Sequence, residues 1–345
     1  MERASRLAAS PSAAPPTRAR LVYATLIALL IAISIAALLV GQGNLADAQL
    51  RATLLELRAY RTAAALLTGA ALAVSGVVVQ GLFRNPLADP SLLGTTAGAS
   101  FGGQAALMLY QALLADRFAS VAPAQAFLPI GCLLGALLAL SALLLIARRH
   151  GDLVLLLLTG FILSSLFLGL GNFIMSLAQE KWELGRAMVA FVLGGLSGTS
   201  AAQVAMAWPL AAAGIAAAWF WSRPLDLLLS GEEEAAALGV DVRSARRWNV
   251  IWSATLTGTA VSLGGNVGFV GLVVPHGLRT LLGADHRRLV PAAAIGGAAF
   301  VAGCDVLARA IPTRTELPLG VVTGLIGAPI FLVLLLRAWR GGALG

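Results

Sequence analysis

Residues 153–177 read LVLLLLTGFILSSLFLGLGNFIMSL, an apolar run without a charged side chain. An α-helix needs about 20 mostly apolar residues to cross the roughly 30 Å hydrocarbon core of a bilayer, so this run is long enough to span one. The rest of the chain has the same character: apolar residue types make up 59% of 345 residues and charged types only 12%. Soluble domains are about a quarter charged, because a water-facing surface needs charge. The sequence therefore predicts an all-α polytopic membrane protein.

Nine further apolar segments accompany this run along the chain. The ten predicted transmembrane helices are 21–40, 62–83, 92–113, 127–147, 153–177, 203–221, 249–264, 267–282, 291–310 and 319–336. A short helix around 189–198 is too brief to cross. Residues 1–20 are polar and rich in Arg and Pro, which predicts a disordered cytoplasmic tail, and residues 21–340 form a single ten-helix transmembrane domain.

The distribution of basic residues predicts the orientation. With the N-terminus in the cytoplasm, sixteen Lys and Arg residues lie in inner segments and eight in outer ones. Inner loops carry more Lys and Arg than outer loops, so both termini are expected in the cytoplasm. The net charge of +8 does not indicate nucleic-acid binding, because the arginines are scattered between apolar runs and form no basic face with interleaved aromatics.

A long cytoplasmic loop, residues 222–248, carries a short acidic helix. Ser230-Gly231-Glu232-Glu233 reads as a capping box, with Ser230 accepting from first-turn amides and Glu233 reaching back to the N-cap amide. Gly239 is well placed to end this helix. Two interpretations stay open: the helix docks a partner protein, or it is a solvated loop helix without one.

No energy source for transport is evident in the sequence. ATP hydrolysis needs a G-x-x-x-x-G-K-[ST] loop, and the single lysine, Lys181, is followed by Trp182. Ion coupling usually leaves acidic groups within the membrane, and Asp305 can pair with Arg309 one turn away. An ion-coupled secondary transporter is therefore the alternative, and a separate ATPase subunit is favoured.

An enzyme or a metal site is not predicted. The three histidines, at positions 150, 276 and 286, are scattered, and Cys132 and Cys304 lie in apolar segments as small buried residues. Arg58 and Arg61 stand at the outer mouth of the second span. They need a negative partner, either an acidic protein surface or lipid phosphates.

Four motifs carry a resemblance to a known family. These are QGLFRNPLADPSLLGTTAGA (80–99), GFVGLVVPHGLR (268–279), DHRR (285–288) and ELPLGVVTGLIGAP (316–329). They are similar to the signatures of FecCD-type permeases, the transmembrane subunits of type II ATP-binding-cassette (ABC) importers for iron-siderophore, haem or cobalamin. The resemblance covers residues 20–340, and the four motifs occur in the family's order.

The resemblance implies a ten-helix type II ABC importer permease in the bacterial inner membrane. It would work as a homodimer or beside a sister permease, with two cytoplasmic ABC ATPases and a periplasmic substrate-binding protein. The chain would hold no metal or cofactor of its own, since ATP and Mg are used by the ATPase. The cargo would be a metal chelate: a ferric siderophore, haem or cobalamin.

The resemblance also assigns roles to residues that match the family's motifs. The ATPase-coupling helix would use Glu232, Glu233, Ala236, Leu238 and Gly239. Binding-protein docking would use Arg58, Arg61 and Arg309, although Tyr60 replaces the proline usual between the first two. The cytoplasmic gate would be Asn85 and Leu87, with a second gate near Gly151-Asp152. The pathway lining would be Ser164, Ser165, Asn172, Ser176, Gly194 and Ser197, for which ordinary close helix packing is the alternative.

Overall fold

The structure is a computed structural model that describes residues 16–114, 127–147, 153–311 and 316–340. These residues form helices and connecting turns, with no strand among them. The helices are α1 (Pro16–Leu39), α2 (Ala48–Leu82), α3 (Thr95–Leu109), α4 (Leu128–Ala147), α5 (Leu153–Ala178), α6 (Trp182–Leu193), α7 (Ala201–Phe220), α8 (Ser222–Ser230), α9 (Glu232–Ala237), α10 (Val242–Gly264), α11 (Val270–Leu282), α12 (His286–Ala310) and α13 (Leu319–Arg340). A 3-10 turn, Pro90–Leu93, precedes α3, and a π turn, Tyr110–Leu114, follows it.

The all-helical prediction is confirmed, and each predicted span coincides with a helix. Among the described residues, six helices are long and apolar enough to cross a bilayer: α1, α2, α4, α5, α7 and α12. The apolar parts of α11 and α13 are shorter. The count of ten spans therefore stays a prediction.

Several helix ends differ from the predicted ones. α1 begins at Pro16, so residues 16–20 are helical, while residues 1–15 of the predicted tail lie outside the described residues. α2 begins fourteen residues before the start of the predicted span 62–83, and α10 begins seven residues before the start of the predicted span 249–264. The short helix α6 spans 182–193 instead of 189–198. Apolar content marks only the part of a helix suited to lipid, whereas α2 and α10 continue through polar residues to their Asp caps, Asp47 and Asp241.

The centre of the molecule is a layer of three buried helices, α2, α10 and α12. Their contact faces are built from small residues, which let helix backbones approach closely inside a membrane. A Cβ built on Gly69 of α2 would lie 2.0 Å from the carbonyl oxygen of Gly297 on α12, and one on Gly76 would lie 2.1 Å from that of Gly271 on α11. Only glycine fits at these crossings.

Hydroxyl groups join α2 to α10 within the same layer. Ser75 Oγ lies 2.8 Å from Ser253 Oγ and 3.0 Å from Thr257 Oγ1, and all three side chains are buried. Cys132 and Cys304 are buried free thiols, as predicted. The helices around this layer leave large apolar side chains exposed, above all on α1 and α5. Such an apolar outer surface is suited to lipid or to another protein subunit.

A second close crossing joins the two peripheral helices α3 and α4. Gly98 and Gly102 face Gly131 and Gly135, so each helix offers two glycines four residues apart. A Cβ on Gly102 would lie 2.1 Å from the Gly131 oxygen, and one on Gly135 equally close to the Gly98 oxygen. This geometry is the small-residue packing typical of membrane helices.

Candidate functional site

A cluster of charged side chains lies beside the N-terminal half of α2. Arg61 contacts Asp305 with Nε and Nη2, both at 2.9 Å, and Glu316 with Nη1 at 2.7 Å. Arg309 contacts the other oxygen of Asp305, also at 2.9 Å, which confirms the predicted Asp305–Arg309 pair. The side chains of Asp305 and Arg309 are each 2% exposed. Buried charges need this kind of compensation, so Asp305 is held by two guanidinium groups.

Two arginines of the predicted docking set hold the C-terminal end of α1. Arg58, 6% exposed, donates from Nη1 to the Leu38 and Leu39 carbonyl oxygens, both at 2.9 Å. Arg309 Nη1 donates to Ala37 and Val40 carbonyls at 3.0 and 2.8 Å. The last carbonyls of a helix have no partner within it, and cationic donors satisfy them.

Arg58 and Arg309 therefore stabilise the chain itself, and the prediction that they also dock a binding protein stays a prediction. Arg61 is the most accessible of the three, and it too is paired with Asp305 and Glu316. The negative partners expected for the outer arginines therefore include residues of this chain itself.

Glu316 is the most accessible member of the charged cluster, with its side chain 26% exposed. Burial alone would raise the pKa of its carboxyl, but the hydrogen bond and charge of Arg61 outweigh burial and hold the pKa below its ordinary value. Ser197 donates a further hydrogen bond to Glu316 at 2.8 Å. The structure thus brings the predicted lining residue Ser197 to the same cluster as Arg61.

Gly194 packs within the turn after α6, and its place in the pathway lining stays a prediction. It is buried in left-handed conformation with φ +79°, and its carbonyl accepts from the Leu319 N–H at 2.8 Å. A Cβ there would meet backbone atoms of Gly264, Asn266 and Gly320 at 3.0 to 3.2 Å. The turn after α6 therefore joins the end of α10 to the start of α13 through a site that favours glycine.

The predicted lining residues of α5 fall on two faces. Ser165, Asn172 and Ser176 are exposed, and their spacing of seven and four residues places them on one face of the helix. Ser164 lies apart and donates to the Ser91 carbonyl at 3.1 Å, beside the 3-10 turn. The structure therefore separates Ser164 from the other three.

The predicted gate residues lie in the turn that follows α2. Asn85 Oδ1 accepts from the Leu87 N–H at 2.9 Å, which closes an Asx turn around Pro86. Arg84 has a φ of +49°, a left-handed conformation that is uncommon outside glycine. The helix has ended at Leu82, so this segment is irregular backbone. The second predicted gate, Gly151-Asp152, lies outside the described residues.

The acidic helix of the cytoplasmic loop is present as α9, but the predicted capping box is wrong. Ser230 is the last residue of α8, and the N-cap of α9 is Gly231, without a side-chain cap bond. Glu232 instead pairs with Arg246 of α10. Gly239 ends α9 as predicted, with a φ of +84°.

The C-terminal turn of α9 has the hydrogen bonds of a Schellman motif. The Gly239 N–H donates to Ala236 and the Val240 N–H to Ala235, both at 3.0 Å. Glu233, Ala236 and Leu238 are exposed, and Leu238 is 67% exposed. An apolar side chain beside three carboxylates gives α9 the mixed surface of a protein contact.

A cavity of about 210 Å³, which the sequence does not predict, lies between the 3-10 turn and the segment that precedes α11. Asp89, Thr96 and Asn266 supply polar groups to its wall. Phe269 also lines the cavity and has a φ of +67°, a strained backbone for an aromatic residue. Position 269 falls in the second family-like motif, but its left-handed backbone has no signal in the sequence.

No group of three or more metal-binding side chains occurs among the residues that the structure places. His276 and His286 are both described, whereas His150 lies outside the described residues.

The comparisons with known proteins cover the segment that holds all these features. The model of the FecCD transport family matches residues 19–337. The chain belongs to the FecCD transport family. It is 40% identical to the cobalamin import permease BtuC of Halobacterium salinarum over 77% of this chain and 69% of that protein.

Two further FecCD relatives are similar over most of their length. The hemin transport permease HmuU of Yersinia pestis is 39% identical over 82% of this chain and 83% of its own. The ferric dicitrate transport permease FecD of Escherichia coli K12 is 38% identical over 82% of this chain and 85% of its own. A solved metal-chelate type ABC transporter in an inward-facing conformation superposes with a TM-score of 0.80 at 30% identity, covering 92% of this chain and 99% of that one. The chain is thus a membrane transport permease with the ABC importer permease fold.

Proposed function

We propose that this chain is the membrane-spanning subunit of an ABC importer for a metal chelate, namely a ferric siderophore, haem or cobalamin. It pairs with a second permease copy or a sister chain, and it works with two cytoplasmic ATPases and a periplasmic binding protein. The relatives named for cobalamin, hemin and ferric dicitrate transport support this class of cargo.

The surface of α9 is the observation that carries the proposal. The sequence contains no phosphate-binding loop for ATP. Energy must then enter through a contact, and α9 offers exposed carboxylates together with the exposed Leu238. ATP binding would close the ATPase pair, and α9 would pass that movement to the helices.

The exposed polar face of α5 supports a pathway at the surface of the single chain. Polar side chains facing lipid are costly, so they are expected to face protein or water. Ser165, Asn172 and Ser176 share such a face. A second permease packed opposite them would enclose a path for cargo. Docking of the binding protein by Arg58, Arg61 and Arg309 stays a prediction.

The test replaces Glu232 and Glu233 by lysine and, separately, Leu238 by glutamate. ATPase co-purification and ATP-dependent uptake of cobalamin, haemin or ferric citrate are measured for each variant. We expect both variants to lose the ATPase, because the changes alter the charge and the apolar centre of the contact. Glu180→Lys is the matched control, since Glu180 is also exposed but lies in the turn between α5 and α6.

Undiminished ATPase binding in both α9 variants would contradict the coupling role. Uptake by the reconstituted chain alone, driven by an ion gradient, would overturn the importer assignment in favour of a secondary transporter.

A further inference from the structure

His286 is a fully buried histidine beside the cytoplasmic loop. Its Nδ1 lies 2.5 Å from Asp226 Oδ1, and its backbone N–H donates to the same oxygen at 3.1 Å. A carboxylate only accepts hydrogen bonds, so Nδ1 carries the proton. Asp226 belongs to α8 and His286 is the first residue of α12. One carboxylate oxygen therefore ties the loop to the start of a central helix.

The opposite edge of the same ring lies against the last turn of α2. A Cβ built on Gly81 would lie 2.6 Å from His286 Nε2 and 3.3 Å from Cε1. The Cδ2 atom of Leu225 of α8 would lie 3.4 Å from the same Cβ. Nε2 is buried without a hydrogen-bond partner, so the ring contacts α2 by packing and not through a hydrogen bond. Gly81 stands one residue before the end of α2 and four residues before Asn85 of the irregular segment.

We propose that Asp226 and His286 are positioning residues that carry movement of the coupling loop to the cytoplasmic end of α2. The inference rests on the proposed importer function and deepens it. The hydrogen bond keeps the imidazole fixed to α8, and the ring presses against Gly81. A displacement of α8 is thereby passed to the Asn85-Pro86 turn.

The remaining step, from α9 to α8, is a small apolar core. Leu228 of α8, Ala235 of α9 and Ala245 of α10 are buried together. The ion pair between Glu232 and Arg246 further joins α9 to α10. Close-packed elements move as units, so α8 is expected to follow α9 when the ATPases close.

The experiment uses the permease bound to its ATPase in lipid nanodiscs, with a spin label on Leu87→Cys. The change in the label's mobility on adding ATP and vanadate reports movement of the turn after α2. His286→Leu removes the bond to Asp226. We expect it to bind ATPase and hydrolyse ATP as the unchanged complex does, while the label response falls about two- to thirtyfold, the span that single residues along a coupling network produce.

Two further variants distinguish transmission of movement by His286 from a purely structural role of this residue. His286→Asn keeps an amide donor near the Nδ1 position but lacks the ring atoms that contact Gly81, so it should lose much of the response. Gly81→Ala should also weaken the response, because its Cβ would collide with Nε2. Combining Gly81→Ala with His286→Asn should restore it, since the alanine Cβ then fills part of the space that the missing ring atoms leave.

The outcomes are distinct. A full response in His286→Leu, or failure of His286→Asn to rescue Gly81→Ala, would overturn the linkage. A parent complex that binds no ATPase, or whose label ignores ATP, would instead contradict the proposed function on which the linkage rests.

Discussion

Replacing Asp305 by alanine should destabilise the protein more than any other single change in the charged cluster. Asp305 is the shared partner of Arg61 and Arg309, at 2.9 Å from each. After the change Arg61 keeps Glu316 at 2.7 Å, whereas Arg309 keeps only carbonyl groups and no carboxylate contact. Removing one partner of a buried ion pair costs about 3–5 kcal/mol. Because Arg61 stays partly compensated, we expect a loss near the lower end, about 3 kcal/mol.

Glu316→Gln is the matched control for this experiment. Its side chain is 26% exposed, and its removal leaves Arg61 paired with Asp305. An ion pair this accessible is worth about 1 kcal/mol or less. Asp305→Asn, which keeps the shape but not the charge, should fall between the two.

Unfolding in mixed detergent and SDS micelles, followed by the fluorescence of the seven tryptophans, measures the free-energy differences. The reasoning would be refuted if Asp305→Ala unfolded within about 1 kcal/mol of Glu316→Gln, the value expected for an exposed pair.

Three further predictions follow from the same contacts. The pKa of Glu316 is lowered in the folded protein, so the stability that its carboxylate contributes should be present above the ordinary Glu pKa of about 4.3. That stability should be lost as the pH falls through the lower folded pKa. The difference in stability between the parent and Glu316→Gln should therefore shrink over the same pH range. Gly135→Val should cost about 1–3 kcal/mol by forcing α3 from α4, whereas the exposed Leu134→Val should cost far less in the same unfolding assay. Arg58→Met should speed hydrogen exchange at the end of α1, because its carbonyl partners lose their donor, and unchanged exchange would contradict the capping role.

The apolar helices were predictable because apolar length is a local property of the chain. The same is true of the Asp305–Arg309 pair, four residues apart, and of Gly239 at the end of α9. The partner of Arg61 was not predictable, since Asp305 lies 244 positions away along the sequence. The sequence around an arginine at a helix mouth does not show which internal groups it contacts. Those contacts depend on how the helices pack.

The capping box failed for a different reason. The pattern Ser-x-x-Glu is satisfied at Ser230 and Glu233, but the preceding helix α8 runs through Ser230. A residue with helical backbone cannot serve as the N-cap of the next helix, whose N-cap is extended. Gly231, with a φ of +135°, makes the break instead. Glu232 is thereby released to pair with Arg246, a contact that the capping interpretation had missed.

The buried arginines also change how the orientation should be argued. The positive-inside rule weighs charges that flank the membrane and act as free cations during insertion. Of the eight basic residues assigned to the outer side, Arg58, Arg61 and Arg309 are held within the folded chain by carbonyls or carboxylates. The same criterion removes Arg246, Arg279 and Arg288 from the inner set, because they contact Glu232, Gln80 and Asp285, so five residues remain against thirteen. The expectation that both termini lie in the cytoplasm is therefore stronger than the sequence count suggests, because the exceptions to the rule are the residues that stabilise the fold.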